Sequence, residues 1–172
     1  KSINILMERL VKFGHQKIAL LNVHKSFNYG HQRKVAYEDF HKKHNMQLNP
    51  NYYQESLEQM TFIGSKLTKK VLDLKDPPTA IICSQDKYFI GCLQECQKRG
   101  LEVPKDISLV GYNDHDNYLS SQNLTFISHP LAEMGKMAVE ILEKIENGVA
   151  PKKLSKLIEP ILNKGKSDKK IN

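Results

Sequence analysis

Apolar residues first recur at helical spacing, with Ile3, Leu6, Leu10 and Phe13 lining one face of "SINILMERLVKFGH". With Ser2 placed as N-cap and Gly14 just past the end, this stretch predicts an amphipathic helix. "KIALLNV" follows, too short and too continuously apolar for anything but a buried strand. From about Gln32 to His44 the spacing of Val35, Ala36, Tyr37 and Phe40 is helical again, and a short extended piece is expected around Tyr52 to Glu55. Phe62, Ile63, Leu67, Val71 and Leu74 predict a further helix, stopped at Pro77-Pro78 because proline has no N–H and disfavours a helical predecessor.

"TAIIC" is the second buried strand. After it comes a helix carrying Tyr88, Ile90, Leu93 and Cys96 that ends at Gly100, and then "ISLVGY", the third buried strand. "LTFIS" predicts a short strand. "PLAEMGKMAVEILEKIENG" predicts a helix with Pro130 at its start and Gly148 past its end, whose apolar stripe is Leu131, Met134, Ala138, Ile141, Leu142 and Ile145. An extended "LIEPIL" precedes a lysine-rich tail expected to fray. Strands that alternate with helices and have no wet face imply an α/β fold, a parallel sheet covered by helices on both faces.

Length and composition fit this picture: 172 residues, 40% of them hydrophobic and 26% charged, suffice for one core of ordinary size. No apolar run is long enough to span a bilayer and no signal-peptide pattern opens the chain, so a cytoplasmic location without membrane contact is expected. The net charge of +7 raises nucleic acid as a partner. Its distribution argues against that: four lysines fall in "NKGKSDKK", and Lys69-Lys70 and Lys152-Lys153 fit solvated faces or loops. Cys83, Cys92 and Cys96 are odd in number and lie within apolar patterns, which suits reduced thiols. No ligand set for zinc accompanies them, and His41 and His44, with lysines between them, are expected on a solvated helix face rather than around a metal.

In an open parallel sheet, ligands bind outside the carboxyl ends of the strands. That rule selects His24, Ser26, Phe27, Asn28 and Arg33 after the first strand, Ser84, Gln85 and Asp86 after the second, and Asn113, Asp114 and Asp116 after the third. Amides, hydroxyls, carboxylates and one arginine, with Phe27, Tyr29, Tyr52 and Phe62 as aromatic candidates, suit a polyhydroxyl ligand. Such a ligand needs paired donors and acceptors and a cover for its C–H face. Asp86 stands where it can equally cap the next helix. Phosphate-loop, nucleophile-elbow and zinc-protease motifs are absent, and Asp114 with Asp116 lacks a companion nucleophile, so neither a catalytic residue nor a cofactor is expected.

The stretch "GLEVPKDISLVGYND" resembles the signature of the lactose-repressor/galactose-repressor family of sugar-responsive transcription regulators. "LVKFGHQKIALL", "RKVAY", "PPTAIICSQDKYFIG" and "LTFISHPLAEMGKMAVEIL" follow the same family in order. The resemblance implies a periplasmic-binding-protein-like core in which residues 1–128 form the second subdomain. Residues 129–150 form a return helix that the family places in the first subdomain, and 151–172 form a final strand and basic tail. The headpiece and most of the first subdomain lie outside this stretch, so operator DNA would be reached only through them.

The resemblance also implies a small carbohydrate effector bound by Arg33, Gln85 and Asn113, near Asp86, Ser26 and Phe27. Gln85 stands where the family usually has Asn, Asn113 where it usually has Asp, and Ala36 where it usually has Gly. A homodimer is implied too, with Tyr88, Cys92 and Cys96 as candidate contacts, although an apolar face covering the sheet accounts for part of the same stripe. A sugar-binding protein of a transport system and a small carbohydrate-acting enzyme are the alternative readings. With its family platform outside the chain, the stripe from Leu131 to Ile145 is expected to drive association or partner exchange.

Overall fold

The computed structural model describes residues 1–114, 117–151 and 154–171; Asp116, Lys152 and Lys153 lie outside the described residues. Its elements run α1 (Ser2–Lys12), β1 (Ile18–Val23), α2 (Asn28–Lys43), a 3-10 turn (Pro50–Tyr52), β2 (Tyr53–Ser56), α3 (Thr61–Leu72) and β3 (Ala80–Cys83). They continue with α4 (Asp86–Lys98), β4 (Ser108–Tyr112), α5 (Tyr118–Ser121), β5 (Phe126–Ser128), α6 (Leu131–Glu146) and β6 (Ile161–Asn163). The strands form one sheet in the order β2-β1-β3-β4-β5-β6, parallel except for β6, which pairs antiparallel with β5 at the edge.

The continuous apolar runs follow from this geometry. Successive side chains of a strand point to opposite faces, and here both faces are covered. Ala19, Leu21 and Val23 of β1 pack with Ile63, Leu67 and Val71 of α3 and with Tyr88, Phe89, Cys92 and Cys96 of α4. Ile18 and Leu20 pack on the other face with Ile3, Leu6, Met7 and Leu10 of α1 and Tyr37 and Phe40 of α2. α3 and α4 cross at contact distance because each carries a glycine at the crossing. A Cβ on Gly91 would meet the Thr61 carbonyl oxygen at 2.0 Å, and one on Gly64 the Tyr88 Cα at 2.6 Å.

Several expectations are corrected. Ser2 lies inside α1 and is buried, and Lys1 takes the N-cap position without a side-chain cap. α2 begins at Asn28, four residues before the expected start, which places Arg33 in its second turn. His41 is buried rather than solvated: its Nδ1 donates to the Tyr37 carbonyl at 2.8 Å, and its ring packs edge-on against Tyr37. Tyr88, Cys92 and Cys96 face the chain's own core, at most 1% exposed, because the apolar side of α4 is needed to cover the sheet, so they offer no exposed surface in this chain.

The tail is not frayed. Ser167 and Asp168 are buried, Asp168 pairs with Arg9 at 2.5 Å, and the Leu109 N–H donates to the Ser167 carbonyl at 2.7 Å. By contrast α6 buries none of its side chains.

Candidate functional site

The carboxyl ends of the parallel strands carry a continuous row of amides, rings and one guanidinium. Gln85, at the N-cap of α4, donates from Nε2 to Gln59 Oε1 at 3.1 Å, and Gln59 donates in turn to the Tyr29 hydroxyl at 3.2 Å. The Arg33 guanidinium lies 5.2 Å from the Tyr29 ring and 4.0 Å from the Tyr112 ring. Tyr112 meets His129 edge-on at 5.6 Å, and Phe27 stacks on Tyr29, also at 5.6 Å. One Arg33 N–H is donated to the Ser84 carbonyl at 3.1 Å. Contact with two ring faces fixes the plane of a side chain that would otherwise sample many rotamers.

Local sequence explains the positions. β1 ends at Val23, a tight turn through His24 and Ser26 reverses the chain, and Phe27 at the N-cap starts α2, whose second turn returns Arg33 over the strand ends. β4 ends in Tyr112, and Asn113 then adopts a left-handed conformation, φ 63°, with its N–H donated to the Ile127 carbonyl at 2.7 Å. Asparagine tolerates that conformation better than most residues.

Other expected site residues are committed to the fold. Asp114 accepts from the Leu119 and Ser120 N–H groups at 2.8 and 2.9 Å, so its carboxylate caps α5; its suggested companion Asp116 lies outside the described residues. Asp86 is buried in the first turn of α4, where its Oδ1 accepts from the Lys87 N–H at 2.7 Å. Ser26 is exposed and its Oγ pairs with His24 Nδ1 at 2.9 Å. Asn28 accepts from Gln32 Nε2. Ser84 is buried, and its Oγ accepts from the Val23 N–H.

Of the aromatic candidates, Tyr52 is at the wrong end: it precedes β2 and donates its hydroxyl proton to the Asp76 carbonyl. Phe62 is 59% exposed at the start of α3. Sequence reasoning missed Tyr112, His129 and Gln59 as members of the row. Tyr112 was counted as strand, and the other two sit in connecting segments that show no period.

Arg33, Tyr29, Gln32, Tyr112 and His129 line a cavity of about 470 Å³, whose far wall is the segment 157–160. That volume suits a small organic ligand. Burial, and secondarily the nearby Arg33 charge, lowers the His129 pKa from its ordinary value, so the ring is neutral at pH 7. A larger groove of about 710 Å³, lined by Lys17, His44 and Asn45, lies at the amino ends of the strands, away from this row. Among the described residues no group of His, Cys, Asp and Glu is arranged to hold a metal ion.

Residues 7–167 match the periplasmic binding protein-like domain. The ribose operon repressor of Haemophilus influenzae is 34% identical over 142 residues, 80% of this chain and 42% of that protein. The HTH-type transcriptional repressor CytR of Escherichia coli is 30% identical over 143 residues, 82% of this chain and 40% of that protein. A regulatory protein of the LacI family from Chloroflexus aggregans superposes with a TM-score of 0.88 at 26% identity, covering 97% of this chain and 60% of that one. The chain thus spans less than half the length of these curated relatives, which are repressors rather than enzymes. Over nearly all of its own length, it belongs to the periplasmic binding protein-like family, in the form that serves as the effector-binding part of LacI/GalR regulators.

Proposed function

We propose that this chain binds a small carbohydrate over the carboxyl ends of its strands, and that in the full-length protein this binding changes operator affinity. The observation that carries the reading is the row Gln85, Gln59, Tyr29, Arg33, Tyr112. Amides both donate and accept, as sugar hydroxyls require, and rings cover the C–H face. Arg33, Gln85 and Asn113 are the proposed contacts, with Phe27, Ser26 and Asp86 around them.

In this reading the chain supplies one wall of a cleft, and α6 joins a second lobe within a homodimer that holds two DNA-binding headpieces. A ligand that favours one lobe arrangement shifts the population toward it, and operator affinity changes reciprocally. The regulator works in the cytoplasm. No helix among the described residues is long and apolar enough to cross a membrane.

Calorimetric titration with mono- and disaccharides, repeated on Arg33→Ala, tests the reading. Binding of one sugar that the variant loses is the expected result. Binding indifferent to Arg33 would move the ligand elsewhere.

A further inference from the structure

The charge balance around Arg33 narrows the ligand. Three rim carboxylates already face donors of their own chain: Asp86 the Lys87 N–H, Asp114 the Leu119 and Ser120 N–H groups, and Glu55 the Lys25 N–H and the Tyr53 hydroxyl. At the cavity wall, the Lys1 ammonium is paired with Glu159. Arg33 forms no ion pair with a described residue; its partners are one carbonyl and two ring faces. The other groups of the row, Gln85, Gln59 and Asn113, are neutral amides that supply no counter-charge. His129 facing the same cavity is held neutral by burial, so it neither competes for an anion nor neutralises the guanidinium.

A half-buried cation held in plane by two rings, with most of its N–H donors unspent, presents the fork that a carboxylate or phosphate accepts in bidentate fashion. Resting on the carbohydrate reading above, we infer that the ligand is an anionic polyol, a sugar acid or sugar phosphate, whose charged group sits on Arg33 while its hydroxyls meet Gln85 and Asn113. The tyrosine faces and the amides then serve the neutral part of the ligand, and the Arg33 guanidinium, without an ion pair among the described residues, serves its anion.

Calorimetric titration of the 172-residue chain compares hexuronates and hexose phosphates with their parent hexoses, at low and high salt. One member of the charged series is expected to bind at least about tenfold tighter than its parent. That margin should shrink with added salt, fall in Arg33→Lys, which keeps the charge without the fork, and vanish in Arg33→Gln. Whether the acid or the phosphate series carries the margin distinguishes the two sources of the anion. A parent sugar that binds as well as its charged derivative would overturn the inference and leave the carbohydrate reading intact. Inorganic phosphate or acetate binding as tightly as any sugar derivative, or no binding by either series, would overturn both. The ligand comparison on the unmodified chain stands even if a variant folds poorly.

Discussion

Asp168 ties three distant segments with one carboxylate, accepting from Arg9 at 2.5 and 3.2 Å and from the Thr125 hydroxyl at 2.5 Å. Its side chain is fully buried and that of Arg9 is 16% exposed. Asp168→Asn removes the charge and leaves a largely buried guanidinium unpaired, so a loss of about 3 kcal/mol is expected in urea denaturation. His15 belongs to the same clasp. A carbonyl only accepts, so Nε2–H donates to Lys169 O at 3.1 Å and Nδ1 accepts from the Thr79 hydroxyl at 2.9 Å. Burial lowers its pKa from 6.5, so below that pH the unfolded chain binds a proton that the folded chain refuses. Stability contributed by neutral His15 is present above pH 6.5 and declines as pH falls toward the folded value. His15→Gln is expected to flatten the acid limb of a Tm-versus-pH curve relative to the unmodified chain. None of this was legible in "KGKSDKK", where lysines flanking Ser167 and Asp168 read as a solvated tail. The partner Arg9 lies 159 positions away, and local pattern carries no sign of it.

At the level of elements, the crossing of α3 and α4 depends on what is missing from it. The atoms facing Gly91 are the Thr61 carbonyl and the Ser65 amide, both backbone, so no rotamer change can make room for a methyl group. Gly91→Ala is expected to push the helices apart and cost about 2–3 kcal/mol in thermal or urea melts. The apolar period announced both helices, because burial against a sheet requires a one-sided stripe. It did not tell whether Tyr88, Cys92 and Cys96 faced that sheet or another molecule, since a core and an interface select the same residue types. α2 was predicted about one turn too short because Asn28, Tyr29, Gly30 and His31 carry no apolar repeat. Its first turn is set by the chain reversal after β1 and by the need to bring Arg33 over the strand ends.

The molecule as a whole is uneven: two sealed faces and one bare helix. On α6, Leu131 is 69% exposed, Val139 56% and Leu142 60%, an apolar surface that water does not favour leaving open. The 172-residue chain by itself is expected to associate as concentration rises in sedimentation velocity, and Leu131→Glu with Leu142→Glu to suppress this. A single monomeric species at high concentration would contradict the expectation. The amphipathic stripe of α6 was plain from its spacing, but its exposure was decided by where the chain carries it, beyond β5 and off the sheet. Strand runs, helical periods, turn residues and the carboxyl-end position of Arg33 are local properties, and the sequence alone determined them, because each arises within a few residues of backbone. The amide-and-ring row linking Gln59 to Gln85 and Tyr29, the docking of the tail on Arg9 and the bareness of α6 were decided only by tertiary structure. Each depends on which separate segments the sheet order brings within a few ångströms, and spacing along the chain does not encode that.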